Sequence, residues 1–183
     1  MKRIVPLLAV AVGLGVAQAA HAQMGPQDTN GAVASSKALF EVVKGYLVAS
    51  AEQMPEEKYG YKPTPEVRSF GQIIGHVANS QYGFCSTALG EKPPVTEDME
   101  KRTTKASLVQ GLKDAFAYCE KAYAMSDAAA AATTKLFGAD RSRLFVLVFN
   151  VSHDFEHYGN LVTYMRLNGM VPPSSQPRSG QGG

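Results

Sequence analysis

The feature that most constrains this chain is a stripe of apolar residues, Leu108, Leu112, Ala115, Phe116, Cys119, Ala122 and Tyr123, recurring at three- and four-residue steps. Side chains so spaced share one face of an α-helix, so the stretch reads as an amphipathic helix from about Lys105 to Met125. Such a face needs partners, and three other segments supply them. From Val33 to Met54, the residues Leu39, Val43, Tyr46, Leu47 and Met54 mark a first helix, ended by Met54-Pro55. Ser69 is placed to N-cap a second helix reaching about Leu89, with Phe70, Ile73, Ile74, Val77, Gln81 and Phe84 on one side and Gly90 as its stop. Arg141 to about Leu167 forms the last, closed by Asn168-Gly169. The expected fold is therefore all-α, a four-helix bundle over residues 33–170. No strand pattern with hairpin turns is read anywhere. The alanine-rich stretch 128–132 either extends the third helix or forms a connection.

The two ends read differently. Lys2 and Arg3, the apolar run Ile4 to Val16 and the small-x-small site Ala20-His21-Ala22 form a secretory signal over residues 1–22, too short to span a bilayer. Residues 23–32 are a flexible lead-in, and the Ser-, Gln-, Pro- and Gly-rich 171–183 a disordered tail. The expected location is periplasmic or secreted, with no membrane contact once the signal is cleaved. Of 18 basic and 16 acidic residues, cleavage removes two basic ones, leaving 16 against 16. That balance argues against nucleic-acid binding, and no Lys/Arg cluster answers it.

The chemistry concentrates on histidine. Four are present, His21, His76, His153 and His157, and the first leaves with the signal. His153 and His157 are four residues apart on one helix face, a spacing at which two imidazoles can close on one ion. They occupy a narrow polar lane opposite the apolar side formed by Leu144, Leu147, Val148, Val151, Phe155, Tyr158, Val162 and Met165. His76 lies on a matching lane of the second helix with Ser69, Gln72, Asn79, Ser80 and Gly83. Asn or Gln side chains there could accept the second ring N–H of a ligating imidazole. The competing reading is three solvated surface histidines.

HDFEH, residues 153–157, also fits H-x-x-E-H with Glu156 as general base, but no acidic ligand follows it in the chain. A di-iron carboxylate site is disfavoured because His76 has no acid at the needed spacing. Asp154 and Glu156 flank His153 at about 100° to one side and about 60° to the other, so Glu156 is the better placed base candidate, against a solvated role for either. Cys85 and Cys119 fall on inward stripes and are either a disulfide or two buried thiols. Helix four is nearly apolar all round, as if covered by its own bundle and by a second subunit.

EEKYGYKPTPEVRSFGQIIGHVANSQYGFC, followed at a distance by HDFEHYGNLVTYMRLNGMVPP, resembles the DinB-like proteins, a superfamily of metal-binding four-helix bundles. The similarity spans roughly residues 33–173. It implies a ligand triad at His76, His153 and His157 and a divalent ion, zinc or nickel. It further implies a homodimer and a metal-dependent hydrolase acting on an unassigned small molecule. The alternatives are a thiol-dependent transferase, which the same family includes, or a non-enzymatic metal-binding or interaction protein.

Overall fold

A computed structural model describes residues 31–177. The signal assigned to residues 1–22 and most of the lead-in lie outside them. Four long helices carry the architecture: α1 (Ala32–Gln53), α2 (Phe70–Leu89), α3 (Lys105–Glu120) and, after the single-turn α4 (Asp127–Ala130), α5 (Arg143–Leu167). Helix α2 packs against both α3 and α5, and α1 closes the bundle against α5 and α3. Among the described residues no helix is long and apolar enough to cross a membrane.

The helix limits follow from local chemistry. Ser69 accepts from the Gln72 backbone N–H at 3.2 Å, while the Gln72 side chain accepts from the Ser69 backbone N–H at 2.9 Å, a reciprocal capping box. At the other end of α2, Gly90 adopts φ 75°, a left-handed cap that a Cβ would strain. Ser142 caps α5 by accepting from Phe145, which moves its start two residues past the expected Arg141. Helix α3 ends at Glu120, and its stripe continues through a 3₁₀ turn, Ala122–Ala124; all seven stripe residues are buried. The alanine-rich stretch does not extend α3. Ser126 restarts the chain as the separate α4.

A two-stranded antiparallel hairpin, β1 (Thr133–Leu136) with β2 (Ala139–Ser142), corrects the reading that no strands are present. Its strands are four residues long, and its turn is Phe137-Gly138 rather than Asn-Gly, so the usual hairpin signals are missing. Phe137 pays for this with φ 51°, a left-handed conformation costing a non-glycine residue about 1–2 kcal/mol. Its ring, 77% exposed, leans edge-on against Phe84 and Phe149.

The core is continuous across the bundle. Phe40 stacks on Tyr123 and meets Phe116 edge-on, a packing role absent from the expected α1 stripe, whereas Leu39 of that stripe faces solvent. Cys85 and Cys119 are joined as a fully buried disulfide linking α2 to α3. Beyond α5 the chain is held as far as Gln176: Tyr158 donates to Ser174 Oγ at 2.7 Å, and Gln176 donates to Gln53 at 3.0 Å.

Candidate metal centre

Helices α2 and α5 pack side by side, and this brings His76, His153 and His157 together. The Nε2 atom of His153 lies 3.2 Å from that of His76 and 3.0 Å from that of His157. The rings meet at steep angles, 77° between His76 and His157 and 75° between His153 and His157. They form a tripod rather than a stack. Three tetrahedral ligands at about 2.0–2.1 Å from a zinc ion would stand about 3.3 Å apart. The observed spacings fit that geometry.

Tautomers strengthen the fit. His76 Nδ1 is 2.9 Å from Glu100 Oε1, where the ring N–H donates to the carboxylate and leaves the Nε2 lone pair pointing at its neighbours. Burial, then the imidazoles of His157 and His76, push the His153 pKa down to about 4. Burial, then His76 and Arg68, do the same for His157, also to about 4. Both rings are therefore neutral near pH 7, with lone pairs available. Converging lone pairs repel one another and are relieved by a cation at their centre. Among the described residues the buried Nδ1 atoms of His153 and His157 have no hydrogen-bond partner.

Glu100 was not among the expected site residues; Asn and Gln were named as acceptors instead. It arrives from the loop after α2, on a 3₁₀ turn, Met99–Lys101, capped by Asp98. Asn79 fastens that turn, donating to Asp98 Oδ1 at 2.8 Å and accepting from the Met99 backbone N–H at 2.9 Å. The close approach depends on Gly75, where a Cβ would come within 2.5 Å of the Met99 carbonyl oxygen. Gly75, immediately before the histidine, allows a close backbone approach, but nothing in the sequence says which segment makes it. Glu100 also accepts from Arg68 Nε, through Oε2, at 2.9 Å.

Asp154 corrects a second expectation. It is fully buried rather than solvated, and accepts from Gln81 Nε2 at 2.6 Å. Burial raises its pKa well above the usual carboxylate range, against the opposing Gln81 hydrogen bond. Gln81 accepts in turn from Asn150, which also donates to Tyr123. The lane division along α5 shifts accordingly: Asn150, Asp154 and His157 face inward, while Val148 and Phe155, placed on the apolar side of the helix, are exposed. Glu156 is exposed beside His157 on the wall of a cleft of about 550 Å³, with Arg68, Ile73, Asn160 and Tyr164.

An all-α bundle that presents three converging imidazoles from two adjacent helices defines a class of protein able to hold a metal ion. Residues 39–161 match the DinB superfamily, and the chain belongs to it. Two solved structures share the fold. A DinB-like protein from Bacillus cereus ATCC 10987 superposes with a TM-score of 0.68 at 15% identity, covering 76% of this chain and 95% of its own. A DinB-like protein from Bacillus subtilis gives 0.61 at 20% identity, covering 79% and 99%. No curated protein matches the chain.

Proposed function

We propose that this chain is an exported DinB-like protein that holds one divalent ion, zinc or nickel, through His76, His153 and His157 and acts as a metal-dependent hydrolase on a small molecule. The observation that carries the reading is the convergence of three imidazoles beside an open cleft. Three ligands leave coordination open to a substrate, as catalytic sites require and closed structural sites do not. Bound there, a divalent ion supplies Lewis acidity and lowers the pKa of water. Glu100 fixes the His76 tautomer and ring orientation. Phe84, whose ring sits 5.3 Å from that of His153, shields one flank from water. Glu156, facing the cleft next to His157, is the carboxylate positioned to accept a proton there.

Export is supported by the basic, apolar and small-residue order of the first 22 residues and by the Cys85–Cys119 bond, which suits an oxidising compartment. The test is a screen of zinc- and nickel-loaded mature protein on ester, amide and thiol-adduct substrates. Hydrolysis lost on chelation and in His76→Ala is the expected result. Activity that survives both removes the metal from the mechanism, and an inert loaded protein assigns it to the binding class.

A further inference from the structure

The cleft beside His157 contains one cationic group whose hydrogen-bonding capacity is only partly used. Arg68 is fixed at two points. Its backbone carbonyl accepts from the Tyr164 hydroxyl at 2.7 Å, tying the loop before α2 to α5, and its Nε donates to Glu100 Oε2. Among the described residues the two terminal Nη groups have no partner, and they are the end of the side chain that is left for a ligand. A guanidinium held by Nε keeps its end-on Nη1/Nη2 fork free, and that fork matches a carboxylate in geometry and charge. The remaining charges in the cleft set the stoichiometry. Glu66 turns back on itself, its carboxylate accepting from its own backbone N–H and from Thr64, which keeps it ionised, while among the described residues Glu156 has no hydrogen-bond partner and faces the same space. A single anion therefore suits the Arg68 end, and a second one on the α5 side is repelled by Glu156.

We propose that Arg68 anchors the carboxylate of a small monoanionic ligand whose other end reaches the three-histidine centre, so that the substrate class is a carboxylate-bearing amide or ester. The proposal rests on the metal-dependent reading above. Glu100 joins the two halves of the site, with Oε1 on His76 and Oε2 on Arg68. Only one carboxylate group thus separates the anion anchor from a metal-ligand imidazole, and the field of Arg68 is felt at both His153 and His157. The anchor is preorganised, so binding an anion costs little side-chain entropy.

The test compares two chelators on zinc-loaded protein by calorimetry: acetohydroxamate, and succinate monohydroxamate, which adds one carboxylate. Wild type is expected to prefer the carboxylated probe roughly tenfold. Arg68→Gln, at matched zinc content, loses the preference; Arg68→Lys, which keeps the charge without the fork, retains part of it. In parallel, succinamate, which carries one carboxylate, is titrated into chelator-treated wild type while the Arg68 Nε–Hε resonance is followed by ¹⁵N NMR, and a saturable shift is expected. Equal affinity for the two hydroxamates, or a preference that persists in Arg68→Gln, overturns the anchor. Where zinc itself does not bind, the resonance decides: a saturable shift upholds the anchor and removes only the metal reading, and an unmoved resonance overturns both.

Discussion

Glu100 reaches His76 across the loop–helix contact at Gly75, its Oε1 settling 2.9 Å from Nδ1. The acceptor is a charged group on a separate segment, delivered by a glycine that admits backbone against backbone. Gly75→Ala places a Cβ within 2.5 Å of the Met99 oxygen, so the turn must retreat and take Glu100 with it. Loss of such an outer partner typically weakens metal affinity by about 10–100-fold. Competition titration against a zinc chelator is expected to show a loss of that order in Gly75→Ala and a smaller one in Glu100→Gln. Wild-type affinity in both variants would remove Glu100 from the site.

The disulfide is expected to dominate the stability of the metal-free fold. Cys85 and Cys119 are 34 residues apart in sequence, and closing a loop of that length is worth about 3–4 kcal/mol through the unfolded chain. The intact mass should be two hydrogens below that of the dithiol form. Urea unfolding of the double variant Cys85→Ala/Cys119→Ala should show a loss of that order, and an unchanged midpoint would contradict it.

Stability against pH separates two opposing groups. His153 and His157 are held near 4 in the folded protein against about 6.5 unfolded, so between those values the unfolded chain takes up protons that the fold refuses. Their contribution is present above about pH 6.5 and lost as pH falls toward 4. Asp154 has a raised pKa, so its contribution is present below about pH 4 and is lost as pH rises toward its own folded value. Asp154→Asn keeps an acceptor for Gln81 and removes the second effect. Chelator-treated Asp154→Asn should gain stability more steeply than wild type between pH 4 and 7 in urea titrations. An equal or shallower slope would show that Asp154 does not titrate as described.

The bundle was legible because its helices are long and punctuated: the α3 stripe, the Ser69 cap and the Asn168-Gly169 stop each carry a local physical reason. His76, His153 and His157 were legible for a similar reason, helical spacing together with the scarcity of other histidines. What sequence could not supply was contact between distant segments. Glu100 lies 24 residues from His76, and only the fold shows that Gly75 lets its turn approach. Asp154 reads as a surface acid beside a histidine until Gln81, 73 residues away, is seen to receive it. The hairpin was missed because Phe137 occupies a left-handed turn position that propensity assigns to glycine or asparagine.

A homodimer through α1 and α5 is the proposed solution state. Phe145, Val148 and Phe155 are exposed along one side of α5, and Leu39 and Val42 are exposed on the neighbouring α1. Light scattering is expected to give twice the chain mass, and Phe155→Lys to shift it toward one chain. A monomer at high concentration would remove the proposal.

The central claim is that His76, His153 and His157 act together as one ligand set. Its most direct test is the zinc content and affinity of mature, tag-free protein beside His76→Ala, His153→Ala and His157→Ala, with unfolding curves confirming that each variant is folded. The expected result is one zinc per wild-type chain and a severe loss of binding in all three variants. Zinc should also raise the unfolding temperature of wild type alone, since a ligand at about 1,000 times its Kd adds about 4 kcal/mol. A wild-type protein that takes up no divalent ion, or zinc binding that survives in His76→Ala, would contradict it.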